Sequence, residues 1–374
     1  MVSLARKNLF HDRLRFVITV AGVAFAVTLV LVQVGLFMGL LDKATVTIEH
    51  ANAEVWITSH NTPNVDFAHT FPETAVLRAR GVPGVARAEN LLIQFMNIQL
   101  PNGAEEGALV YAMNDFEGWN LPWEVNEGDV RDLKRGAYIL MDRSASRRFG
   151  PFAVGDYREI LGKRFKIIGT TSGAASFTTA PIVFMDFKNA QELLQTVQGK
   201  THYVLVGLEP GADAGAVAAE IRSRLPFNDV YTKAAWAARS RAYWVVSTGL
   251  GMNMGITVFL GVLVGIVIVA QTLYTSAVEH VKEFGTVKAI GGSNWDIYRI
   301  LGEQAVIAAV VGFVLGGTMS LAMRPLLARL YLNVMVSPRF ALAVFAGTVL
   351  MCLGAAMLSF RRVATIDPAL VFRA

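Results

Sequence analysis

Four stretches of this chain are too long and too apolar for an ordinary globular core. Residues 16–41 contain no charged side chain, and neither do residues 242–278. Two more follow at 300–323 and 340–360, with Glu303 near the start of the third as their one charge. A bilayer core of about 30 Å is crossed by roughly 20 residues rising about 1.5 Å each, so each stretch reads as a membrane span. A signal peptide has an apolar region of only about 7–15 residues before a small-residue cleavage site. The first stretch is far longer and runs on into "GLLDKA" (39–44), which points to an uncleaved helix. The second, at 37 residues, overshoots a bilayer, and part of it is expected to project as a stalk.

Charge supports the same reading. Only 17% of residues are charged and 53% are hydrophobic, against roughly 25% charged in soluble domains. The net charge of +5 would suit nucleic acid if it were spread over a soluble surface. Instead, residues 42–245 hold 21 Lys/Arg against 23 Asp/Glu, and the excess of 13 over 6 lies beside the apolar segments. Arg6, Lys7, Arg13 and Arg15 precede the first span, and Arg361, Arg362 and Arg373 follow the fourth. Basic flanks stay in the cytoplasm, so both ends are expected inside, 42–241 outside, and 279–299 inside again. The lone Cys352 permits no intrachain disulfide.

The long insert reads as an α+β domain. "AEVWITS" (53–59), "NLLIQFMNIQL" (90–100), "GALVYAM" (107–113), "RFKIIGTT" (164–171) and "HYVLVGL" (202–208) have strand length and apolar patterning. "VLRARGVPGVARA" (76–88) predicts a helix end and a turn. Val217, Ile221 and Leu225 in "DAGAVAAEIRSRL" (213–225) share one helical face.

Catalytic signatures are missing from the sequence. "QTVQGKTHY" (195–203) holds Gly-Lys-Thr, but Leu194 stands where a phosphate-binding loop needs glycine. His50, His60 and His69 are irregularly spaced for a metal site, and neither HExxH, CxxC nor Gly-x-Ser-x-Gly occurs. Met38, Met252, Met254, Met319 and Met323 suit helix packing, with a soft pocket for an apolar or haem-like ligand as the alternative. Small residues recur at four-residue spacing: Gly251 and Gly255, Gly261 and Gly265, and Ala308, Gly312 and Gly316. Such pairs allow helices to approach closely in lipid, within one chain or across a homodimer.

The hydrophilic stretch "TSAVEHVKEFGTVKAIGGSNWDIYRI" (275–300) lies between the second and third spans. On a helix, Glu279, Lys282, Glu283 and Thr286 fall on adjoining faces, while Val278, Val281, Gly285, Ala289 and Ile290 offer an apolar side. Gly291 and Gly292 end it, and Trp295 and Tyr298 suit the membrane interface. A solvated connector is the bland alternative to a docking helix. Glu303 is expected to pair with Arg299, one turn earlier.

The chain resembles the MacB/FtsX-like permeases of ABC transporters. "ARKNLFHDRLRFVITVAGVAFAV" (5–27), "AYILMDRSASRRFGPFAVGDYREILGKRFKIIGTT" (137–171), "VEHVKEFGTVKAIGGSNWDI" (278–297) and the terminal "TIDPALVFRA" carry the resemblance, which runs from end to end. The DevC-type branch, with a separate ATPase and a periplasmic adaptor, is the most similar. The resemblance implies a type VII architecture: a membrane protein with four transmembrane helices and a large α+β extracytoplasmic domain between helices 1 and 2. The expected segments are 1–15 (amphipathic cytoplasmic helix), 16–41, 42–241 (periplasmic domain), 242–278, 279–299 (coupling helix and turn), 300–323, 324–339 (external loop), 340–360 and 361–374.

It further implies a non-catalytic subunit of the bacterial inner membrane. This chain would bind no cofactor, ATP and Mg being bound by a partner ABC ATPase. Glu279, Lys282, Glu283, Phe284 and Gly285 would dock on that ATPase, with Lys288, Ala289, Ile290, Gly291 and Gly292. Arg6, Lys7 and Arg13 would lie on the membrane surface facing it, and Gly251, Gly255, Gly261 and Gly265 would pack helices or a homodimer. Implied partners are a second copy, two ATPase subunits, lipid, an adaptor and an outer-membrane channel. Export driven by mechanotransmission is the expected function. Regulation of a cell-wall hydrolase in the FtsX manner, or haem or hydrophobic-compound efflux, is the alternative.

Overall fold

The structure is a computed structural model and describes residues 12–114, 119, 121–174, 176, 181–280, 283, 286, 293–329 and 332–363. The chain divides into two units, residues 1–39 with 250–374, and residues 40–249.

Among the described residues of the first unit, helices Arg13–Lys43, Leu250–Glu279, Asn294–Arg329 and Pro338–Val363 are each long and apolar enough to cross a membrane. Small residues bring them together. A Cβ on Gly316 would stand 2.6 Å from Ala24 O and 2.8 Å from Val27, so the first and third helices touch backbone to backbone there. Thr28 Oγ1 donates to Gly316 O at 3.1 Å across the same contact, and Ser359 Oγ donates to Ala270 O at 2.8 Å between the fourth and second helices. Val23, Val27, Leu31, Val269, Leu273, Ala305, Ala309 and Cys352 form the buried seam. Cys352 is fully buried in it.

Boundaries differ from the sequence reading in instructive ways. Residues 242–278 are not one continuous helix. A π-turn spans Tyr243–Ser247, and Gly249, at φ +70°, breaks the helix before Leu250. Left-handed backbone is a conformation glycine adopts freely, and lack of charge does not reveal it. The third helix starts at Asn294 rather than near 300 and runs through Pro325 to Arg329. Trp295 and Tyr298 are therefore part of it, and much of the expected 324–339 loop is helical.

The second unit is built on a mixed sheet, ten-stranded among the described residues. Its strands are β1 (Val55–Ser59), β3 (Val85–Gln99), β4 (Glu105–Met113), β5 (Val125–Glu127), β6 (Tyr138–Asp142), β7 (Tyr157–Ile160), β8 (Lys163–Thr171), β9 (Ile182–Asp186), β11 (Tyr203–Leu208) and β12 (Asn228–Thr232). The order is β12-β1-β11-β3-β4-β9-β6-β8-β5, with β7 on β3 and β8. A small ribbon joins β2 (Phe71–Pro72) to β10 (Lys200–Thr201). The spine is β3, which pairs antiparallel with β11 and, from Leu91↔Met113 to Gln99↔Glu105, with β4.

Alternation sends Leu91, Ile93, Leu109 and Tyr111 to one core, and Leu92, Met96, Val110 and Ala112 to another. Both faces are thus covered, which is why these strands read as nearly unbroken apolar runs. A third cluster holds Val55, Ile57, Val204 and Val206 under helices Ala75–Arg80 and Ala214–Arg224. The latter begins at Asp213, whose carboxylate accepts from the N–H groups of Gly215 and Ala216. It buries Val217 and Ile221, the face read from spacing.

Candidate functional site

The connection between the second and third helices is the part of the sequence that most resembles a docking element. Its described residues show how the helix ends are fixed. Arg15, on the first helix, donates through Nη2 to the Glu279 carboxylate and holds Asp12 through Nε at 2.8 Å. The first helix is thereby tied to the last residue of the second. Beyond it, His280 Nδ1 lies 3.0 Å from Glu283 Oε1.

The third helix opens with a reciprocal cap. Asp296 Oδ2 accepts from both the N–H and the hydroxyl of Ser293, each at 2.8 Å, while Ser293 Oγ accepts from Asp296 N–H at 3.3 Å. Ala277, Ile297 and Leu301 form a small buried cluster between the two helices at this end. Arg299 pairs with Glu303 at 3.6 Å, one turn apart. Glu279, Glu283, Thr286, Ser293, Trp295 and Asp296 are all exposed. The arrangement is an apolar corner carrying a rim of charge, with no group positioned for covalent chemistry among the described residues.

Of the remaining candidates, Arg13 is exposed at the start of the first helix. Arg6, Lys7, Lys282, Phe284, Gly285, Lys288, Ala289, Ile290, Gly291 and Gly292 lie outside the described residues. Gly261 abuts Leu29, and Gly265 abuts Ala26 and Met351, so both face helices of their own chain. A Cβ on Gly255 would meet open space, and Gly251 is half-buried. Met252 and Met319 are 71% and 53% exposed. The histidines sit apart: His50 stacks on Trp123, His60 pairs with Asp229, and His69 is exposed.

A second set of ties was not read from the sequence. Where the chain enters the 40–249 unit it forms helix Val46–His50, and where it leaves it forms helix Lys233–Ala242. Lys233 Nζ donates to the carbonyls of Glu49 (2.9 Å) and Ala51 (2.7 Å). Arg241 Nη2 donates to Glu49 Oε1 at 2.8 Å and to Thr45 Oγ1 at 3.1 Å. Exposed ion pairs of this kind add at most about 1 kcal/mol each. Their effect is to hold incoming and outgoing segments in register. The one hint in the sequence is that Arg241 directly precedes a charge-free run.

Comparison with known proteins bears on both regions. Residues 16–224 match the family model of the MacB-like periplasmic core domain, and residues 255–368 match that of the FtsX-like permease C-terminal region. An uncharacterized ABC transporter permease of Mycobacterium tuberculosis strain H37Rv is 24% identical over 385 residues, covering 100% of this chain and 99% of the relative. One from Methanocaldococcus jannaschii is 26% identical over 208 residues, 52% of this chain and 51% of its own. Among solved structures, the periplasmic region of MacB from Actinobacillus actinomycetemcomitans is similar at 10% identity. It covers 50% of this chain and 92% of that one, with a TM-score of 0.39. The extracellular domain of the YknZ transporter from Gram-positive bacteria is similar at 14% identity, with 48% and 99% coverage and a TM-score of 0.37.

Proposed function

This chain belongs to the MacB/FtsX-like ABC transporter permeases, non-catalytic membrane subunits that work with an ATPase, and from that premise we propose that it turns ATP hydrolysis into movement of its periplasmic domain to drive export. ATP and Mg are held by the ATPase, on a separate chain, and this subunit supplies the transmission. The basic flanks favour an orientation with both ends and residues 279–293 in the cytoplasm of a bacterium and the 42–241 insert outside. Two copies with two ATPase subunits and a periplasmic adaptor, the DevC-type arrangement, form the working unit, and an outer-membrane channel completes the path.

The observation that carries this reading is the tie between Arg15 and Glu279, next to the charged rim. A partner that displaces residues 279–293 moves the ends of the first and second helices together. Inside the other unit, the Lys233 and Arg241 contacts to Glu49 hold together the segment that follows the first helix and the segment that precedes the second.

Glu283→Lys and Lys288→Glu test the docking role. Each variant is expected to insert and melt like the parent and to co-purify with the ATPase, while losing coupling between hydrolysis and transport. Normal coupled turnover in both variants overturns the docking role. Capture on the outer side separates modes of use: an adaptor supports export, whereas a cell-wall hydrolase assigns the regulatory mode.

A further inference from the structure

Between β1 and β2 the chain forms a loop, 60–70, that is polar in sequence yet packed inside the domain. Thr62 and Asn64 are fully buried, Val65 is 2% exposed and Asp66 is 6% exposed. The loop is gripped from two sides. Tyr203 on β11 donates its hydroxyl to the carbonyls of Asn64 and Val65, both at 3.0 Å. Arg239, on the Lys233–Ala242 helix, donates through Nε to Thr62 O at 3.3 Å. Trp236 of the same helix packs on Tyr203 and stacks on Tyr231. Tyr111 on β4 reaches the other connecting helix, its hydroxyl 2.7 Å from Thr47 Oγ1.

At the centre of these contacts lies a carboxyl group with nothing to answer its charge. Asp66 Oδ2 has no hydrogen-bond partner among the described residues, and the same holds for Asn64 Nδ2, Trp56 Nε1, Trp236 Nε1 and Ser240 Oγ. Tyr111 and Tyr203 are near enough to feel its charge, and the ionisable groups of the neighbouring elements are placed as follows. Tyr111 and Tyr203 are themselves pushed well above the usual phenol range by burial, with the Asp66 charge adding to the effect. Arg239 is committed to Thr62 and lies over the Tyr231 ring. On the Val46–His50 helix, Glu49 faces Arg241 and His50 stacks on Trp123. Within the loop, His60 is held by Asp229 and His69 is exposed. His202, beside Tyr203, accepts from Ile93 N–H.

We propose that Asp66 is a proton-operated latch within the periplasmic domain: while its carboxyl is protonated, residues 62–68 stay packed beneath the Lys233–Ala242 helix, and release of the proton to solvent draws the carboxylate, and the loop with it, into water. An ionised carboxylate left unpaired among apolar side chains is costly, and either neutralisation or opening removes that cost. Burial raises Asp66 to about 7, so between the free carboxyl range and neutrality each rise in pH favours the opened, ionised state. Opening breaks the Arg239–Thr62 and Tyr203–Asn64 bonds and loosens the helix through which the chain leaves the domain. The latch does not depend on the ATPase reading above, because it is a property of the permease alone.

The test is hydrogen exchange on the full chain in lipid nanodiscs, without ATPase, from pH 5 to 8.5 and corrected for intrinsic exchange. Peptides covering 60–70 and 233–247 are expected to show an opening constant that climbs from pH 5 and levels off near 7, where the packed carboxyl itself ionises. Over the rising part, release of one proton on opening raises that constant about tenfold per pH unit. Asp66→Asn, which cannot ionise, is expected to abolish the rise. A wild-type profile without the rise, or an Asn variant that keeps it, overturns the latch. If the variant is not recovered folded, the wild-type profile decides alone: a rise that levels off near neutrality supports the latch, and one already level at pH 5 overturns it.

Discussion

Two buried ionisable residues in the periplasmic domain push its stability in opposite directions with pH. His202 is 3% exposed, and its Nδ1 accepts from Ile93 N–H at 3.1 Å, which requires the neutral ring. Burial lowers it from 6.5 to about 4. Its contribution is complete above about 6.5 and is lost as pH falls toward 4, a span corresponding to about 3 kcal/mol. Asp66 is the reverse, since a folded value near 7 lies above the unfolded 3.8. Its contribution is present below about 3.8 and is lost as pH rises through 7. The two offset each other in the wild type. Asp66→Asn is therefore expected to leave stability that rises with pH between 4 and 6.5, and His202→Asn to leave stability that falls between 4 and 7. Denaturant unfolding at a series of pH values checks both slopes. Neither residue stood out in the sequence. A lone Asp in "NTPNVDFAHT" looks solvated, and only the closing of the Lys233–Ala242 helix and Tyr203 over the loop buries it.

The elements divide by how they are stabilised. Strands β3, β4, β8 and β11 were legible because each carries its own run of apolar residues. The polar strand β12, "NDVYT", exists because β1 offers it an edge, and β9 is a short run, "IVFMD", whose burial depends on β4 and β6. Tertiary pairing decides such segments, and local pattern does not. The four long helices were legible from length and composition, while their ends depended on local chemistry, such as the Ser293–Asp296 cap and Gly249. Packing between helices gives a paired test. Gly316→Val places methyl groups against Ala24 O and Val27 and is expected to cost about 1–3 kcal/mol. The Gly317 Cβ position is open, so Gly317→Val is expected to leave the melting temperature close to that of the parent. Thermal unfolding in detergent compares the two, and equal losses would refute the close contact between the first and third helices.

At the scale of the molecule, placement of charge is what made the architecture readable. A near-neutral insert, basic flanks and four apolar segments constrain the topology before any motif is matched, and the family models then covered both halves. The charged connection between the second and third helices was legible as a pattern, but the ties that flank it were not, because Arg15 and Glu279 lie 264 residues apart. The proposed orientation is open to direct measurement. Phe227, 88% exposed on the insert, and Glu283 can each be replaced by cysteine. A membrane-impermeant maleimide applied to intact cells is expected to modify Phe227→Cys and to spare Glu283→Cys until the membrane is permeabilised. The opposite pattern would reverse the whole scheme. The experiment is unusually clean in this protein: its one native thiol, Cys352, is sealed inside the helix seam. An aqueous reagent has no background target, so the unaltered sequence can serve as the blank for every introduced label.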